Sequence, residues 1–121
     1  MNIYSRVHMK KKTLKAKMQS PPSDATIAEL ADHFHLLGDT SRLRIVLACL
    51  EVPIAVGEIA DQLELSGSLV SHHLRLLRAA RIVKSERAGK QIFYSAADHH
   101  ISELLANMLE HMAEPHADTS L

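Results

Sequence analysis

From Thr26 the apolar side chains Ile27, Leu30, Ala31, Phe34 and Leu37 recur at helical intervals, and Gly38 stops the run. The pattern predicts a first helix over 26–37. Asp39 or Thr40 can cap a second helix over 40–50 that buries Leu43, Val46, Leu47 and Leu50 and is ended by Pro53. A short third helix follows over 56–63. After Glu64 and Leu65, Ser66 can cap a fourth helix running to residue 80, whose apolar stripe is Val70, Leu74 and Leu77. Residues 82–87 and 91–95 are β-prone, and Ala88-Gly89-Lys90 between them supplies a glycine for a tight hairpin. A last helix over 97–113 carries the stripe Ile101, Leu104, Leu105, Met108 and Met112.

The polar positions give these elements a purpose. On the fourth helix Ser68, Ser71, His72 and Arg75 fall at i, i+3, i+4 and i+7, a face separate from the apolar stripe. Two helices joined by a short turn, the second presenting small polar donors and an arginine, fit a helix-turn-helix reader of the major groove. The hairpin that follows, with Arg87 and Lys90 at its tip, makes this a winged helix whose wing neutralises phosphates. Expected DNA contacts are Ser66, Ser68, Ser71, His72 and Arg75 on the reader, and Arg87 and Lys90 on the wing.

The last helix carries ligand chemistry: Asp98, His100, His111 and Glu114 read D-x-H-x10-H-x2-E. At about 100° per residue, His100 and His111 return to nearly one face, yet they lie roughly 16 Å apart along the axis. Zinc ligands must each reach the ion within about 2.0–2.2 Å. One helix cannot close this site, whereas two copies running antiparallel bring the Asp98/His100 end of one to the His111/Glu114 end of the other. The pattern implies a homodimer with two equivalent metal sites across its seam. Two imidazoles and two carboxylates suit tetrahedral Zn(II), with Co(II) as a substitute; nickel would draw on further donors such as His8, His99 or His116. A closed shell leaves no place for substrate or activated water, so an enzyme is not expected.

Composition and charge sharpen this picture. The chain has 121 residues, 46% hydrophobic and 3% aromatic, which favours a small helical domain helped by dimerisation. Its net charge of zero hides a segregation: residues 65–97 carry six Lys or Arg against the single acid Glu86, and residues 98–121 carry five acids and no Lys or Arg. A basic middle suits a polyanion and an acidic end suits a cation. Residues 1–25 are polar, basic and end in Ser-Pro-Pro-Ser-Asp, and read as a flexible arm ahead of a domain over 26–114 and a tail over 115–121. No apolar run approaches a membrane span, no signal peptide is evident, and a lone Cys49 points to a reducing cytoplasm.

These segments resemble the ArsR/SmtB family of bacterial winged-helix metalloregulators, in particular its zinc-sensing branch. The resemblance rests on LLGDTSRLRI at 36–45, SHHLRLLR at 71–78, GKQIFY at 89–94 and DHHI at 98–101. It covers roughly residues 26–114. It implies a mainly α winged helix-turn-helix with a small β-hairpin, dimeric through its first and last helices. It further implies a repressor that binds an inverted-repeat operator when metal-free and releases it on binding Zn(II), with Asp98 and His100 of one subunit matching the family's last-helix ligands beside His111 and Glu114 of the other. Family members with a second site on the third helix carry cysteines there, where this chain reads Ile54-Ala55-Val56-Gly57-Glu58. Glu58 and His8 would be at most a remnant of it. Rival readings are a nickel or cobalt sensor of the same fold, a redox- or partner-responsive winged-helix regulator, and a plain dimerisation module. No membrane and no small organic substrate are expected.

Overall fold

The computed structural model describes residues 20–115. The N-terminal basic cluster, His8 and His116 lie outside them. The elements in order are α1 (Asp24–Leu37), α2 (Thr40–Ala48), β1 (Ile54–Ala55), α3 (Val56–Leu63), α4 (Gly67–Ala79), β2 (Val83–Ala88), β3 (Gln91–Ala96) and α5 (His99–Ala113). Two compact units divide the chain, one up to Asp32 and one from His33 onward.

In the first unit α1 begins at Asp24, two residues ahead of the predicted start and inside the stretch read as an arm. The cause is a cap: Ser23 Oγ accepts from the Thr26 backbone N–H at 3.1 Å. Asp24 adds a carboxylate to the first turn, where the helix dipole favours negative charge. The predicted apolar stripe of α1 is a helix face but not a core face, since Ile27, Leu30 and Phe34 are each more than half exposed and only Leu37 is buried.

The second unit is held by a core from every element between α2 and β3. Ile45, Val46 and Cys49 of α2 and its end, Ile59 of α3, Val70, Leu74 and Leu77 of α4, and Ile82 are fully buried, with Leu105 of α5 joining them. Each fully buried aliphatic side chain contributes about 1.5–3 kcal/mol relative to exposure. The α1–α2 corner shows why the residues at 36–42 are needed. Gly38 ends α1, and a Cβ there would meet the Phe34 and His35 carbonyl oxygens at 3.3 and 3.4 Å. Asp39 Oδ2 accepts from the Arg42 N–H at 3.0 Å, and Arg42 Nε donates to the Leu36 carbonyl at 2.8 Å, so one motif satisfies the end of one helix and the start of the next. Helix α2 stops at Ala48, short of the predicted residue 50, and Cys49 is its C-cap.

The sheet is antiparallel in the order β1-β3-β2. Strand β1, absent from the sequence reading, pairs Ile54 with Tyr94 and Ala55 with Phe93. It adds a third strand to the expected hairpin. The hairpin runs from Val83↔Ala96 to Ala88↔Gln91, leaving Gly89 and Lys90 as a two-residue loop. Gly89 at φ +64° occupies the first loop position, where a type II′ turn calls for glycine.

Candidate nucleic-acid interface and ligand helix

Helices α3 and α4 are joined by Glu64, Leu65 and Ser66 alone. Glu64 takes the left-handed conformation at φ 56°, and the Leu65 N–H returns to the Ala60 carbonyl at 3.0 Å, so the chain reverses sharply at the end of α3. Ser66 then caps α4 by accepting from the Leu69 N–H at 3.1 Å. Its Oγ lies 3.4 Å from that of Ser68. Val70, Leu74 and Leu77 anchor α4 in the core, which leaves Ser68, His72 and Arg75 exposed and Ser71 half-buried on another side. The predicted reader residues thus share one accessible face, with Ser66 committed first to the helix cap.

The end of α4 sets the wing. The Ile82 N–H reaches the Leu77 carbonyl at 2.9 Å and the Arg81 N–H reaches Arg78 at 2.9 Å, the pairing of a Schellman motif. Glycine usually fills its left-handed position; here Arg81 does, at φ 60°. Ile82 also accepts from the Ala97 N–H at 3.0 Å, tying the reader's end to the approach to α5. Arg87 and Lys90 are exposed toward the free end of the hairpin, Arg87 opposite Ile92. Arg87→Ala is expected to weaken binding to all DNA sequences alike and lower the slope of log affinity against log salt by about one unit. Titrations at three salt concentrations check this, and a loss confined to one operator base would place Arg87 in base readout instead.

Sequence reasoning missed His73. It follows Val70 by three and precedes Leu77 by four, the interval of the apolar stripe, so its place in the core was readable. It is 9% exposed and, among the described residues, its Nδ1 has no hydrogen-bond partner. Burial first and the Arg42 guanidinium second push its imidazole below the ordinary value, against an opposing pull from Asp39. The folded state therefore binds fewer protons than the unfolded chain, in which histidine titrates near about 6.5, and stability falls as pH drops through and below that value. The Asp39 carboxyl is held below its usual range chiefly by the Arg42 N–H, so its contribution is lost only in the separate window below about pH 3.9. We expect the urea midpoint of metal-free protein to fall between pH 7.5 and 5, less steeply in His73→Leu. Equal slopes for the two proteins would contradict this.

Helix α5 starts at His99, because Asp98 Oδ1 accepts from the Ile101 N–H at 3.1 Å and caps it, two residues after the predicted start. One carboxylate oxygen of Asp98 is thereby committed to the cap. The rings of His99 and His100 meet with centroids 4.0 Å apart. Asp98 and His100 open on a cavity of about 730 Å³ also lined by His33, Arg78, Arg81 and Lys84. His33 of α1 is half-buried there. His111 and Glu114 are exposed at the other end, Glu114 as the C-cap. Among the described residues no three His, Cys, Asp or Glu side chains converge within the chain. The donor set, two imidazoles and two carboxylates at exposed positions, is chemically apt for zinc, but it is divided between two helix ends. Between them Leu104, Met108, Leu109 and Met112 form an exposed apolar stripe. With Phe34, Leu43 and Leu47 it lines an apolar groove of about 260 Å³.

The solution structure of a homodimeric winged helix-turn-helix DNA-binding domain from Mycobacterium bovis has this fold, with a TM-score of 0.70 at 24% identity over 81% of this chain and 97% of that one. The protein has the winged helix-turn-helix fold. The model of bacterial regulatory proteins of the arsR family matches residues 39–85. A transcriptional repressor SmtB homolog from Synechocystis is 38% identical over 86 residues, 71% of this chain and 65% of the relative, so the match spans just under two thirds of that protein. A cadmium resistance transcriptional regulatory protein CadC homolog from Staphylococcus aureus is 34% identical over 87 residues, 71% of this chain and 72% of that one. The chain belongs to the arsR family of bacterial regulatory proteins.

Proposed function

We propose that the protein is a metal-responsive repressor that binds an inverted-repeat operator as a metal-free homodimer in the cytoplasm and leaves it when Zn(II) binds between the subunits. The observation that carries this reading is the layout of α5: Asp98 and His100 at one end, His111 and Glu114 at the other, and an exposed apolar stripe between them. Asp98 and His100 of one subunit, with His111 and Glu114 of the partner subunit, would complete each shell. Held by these residues, a Zn(II) ion would link the two α5 helices to each other. A regulator described as a cadmium resistance protein among the relatives supports a metal effector.

Linkage gives the response its sign. Release requires tighter metal binding by the dimer that fits DNA poorly, and DNA must then weaken metal binding by the same factor. The Ala97 to Ile82 hydrogen bond joins the start of α5 to the end of the reader, so fixing the two α5 helices biases the spacing of the two Ser68–Arg75 faces. That spacing decides whether both readers meet successive major grooves.

A nickel or cobalt sensor of the same fold is the second reading, favoured by the additional imidazoles of His33 and His99 near Asp98 and His100. The redox reading is disfavoured: Cys49 is fully buried, and burial pushes its thiol up to about 11, far from the reactive thiolate. Gel shifts with an inverted-repeat operator test the proposal. Retarded DNA that is released by zinc supports it, and retardation indifferent to zinc, nickel and cobalt overturns it.

A further inference from the structure

Adjacent positions on a helix point about 100° apart and do not ordinarily face each other. His99 and His100 depart from this: their ring centroids are 4.0 Å apart at an interplanar angle of 40°, a close, tilted contact. Both residues are exposed, and no core packing holds either ring. An exposed imidazole that must become a ligand loses its rotamer freedom on binding, and that loss weakens affinity. A neighbouring ring that already holds it removes part of the loss. Asp98 beside it is likewise oriented, by its cap to the Ile101 N–H at 3.1 Å.

We propose that His99 is a positioning residue: its ring packs at a tilt against that of His100 and sets the orientation of that imidazole, so that the Asp98/His100 end of α5 is organised as a half-site before metal arrives. This rests on the metal reading above and assigns His99 no bond to the ion. The partner subunit's end of α5 then supplies the adaptable half, which docks onto the fixed one.

The test compares His99→Ala, His99→Phe and His100→Ala, using Co(II) absorption and Zn(II) competition on the full-length protein. Alanine removes the ring, whereas phenylalanine keeps a ring but has no nitrogen. Alanine also has the higher helix propensity, so weaker binding by that variant cannot come from a weaker helix. Expected are an affinity about three- to tenfold lower for His99→Ala, recovery to within about twofold for His99→Phe, and no tetrahedral Co(II) bands for His100→Ala. Metal-free operator affinity and thermal midpoint should be unchanged by both His99 substitutions. Unaltered metal affinity in His99→Ala overturns the proposal, and so does a His99→Phe protein as weak as His99→Ala, which would make His99 a donor. Undiminished Co(II) bands in His100→Ala would instead remove His100 from the metal site on which this proposal rests.

Discussion

His111→Ala is expected to keep metal-free operator affinity and to lose its zinc response. His111 is exposed in the last turn of α5, away from the reader face and the core, so the substitution leaves folding and DNA contacts alone. The proposed shell falls from four donors to three and loses one of its two imidazoles. Allosteric couplings between two ligands run to about 5- to 150-fold in affinity. Zinc should weaken operator binding by a factor in that range for the unsubstituted protein and by a factor near one for the variant, as measured by fluorescence anisotropy. A variant released at the same zinc concentration would remove His111 from the site.

Met108→Glu should have the larger effect on DNA binding itself. Met108 is 44% exposed in the single chain and lies centrally in the α5 stripe, lining the groove with Phe34, Leu47 and Leu104. In a two-fold symmetric dimer the substitution places a carboxylate in the seam from each side. An uncompensated buried charge costs about 3–5 kcal/mol, so the dimer should dissociate at concentrations at least about a hundredfold higher. Operator affinity should fall with it, because one reader alone contacts one half-site. Sedimentation equilibrium should find monomers with unaltered helical circular dichroism. An intact dimer would move the subunit interface away from α5.

Long amphipathic segments were legible because their capping and periodicity are local. Helix α3 has its predicted bounds, and α4 is capped by Ser66 as read. What depended on distant partners was not legible. Ile54 and Ala55 form a strand only because Tyr94 and Phe93 lie opposite, and a two-residue strand after Pro53 shows no alternation to read. Arg81 carries no sequence mark of the left-handed turn that glycine usually makes. His73 was passed over because a histidine in an apolar stripe looks like part of the polar face beside it. The α1 and α5 stripes were read correctly as apolar faces, yet Ile27, Leu30 and Phe34 of α1 and Met108 and Met112 of α5 stay exposed in one chain. For the last helix, residue types and spacing were legible, while the role of Asp98 as its cap needed the hydrogen bond to Ile101.

Under the proposed function each metal is shared between two chains, and mixing two defective proteins tests this most directly. His100→Ala and His111→Ala homodimers each lack a complete shell, but a dimer containing one of each has both losses in one site and an intact quartet in the other. After the two variants are unfolded together and refolded, tetrahedral Co(II) absorption should return to about a quarter of the unsubstituted amplitude, because half of the dimers are mixed and each holds one whole site. A mixture that binds no better than its two components would contradict a shared site.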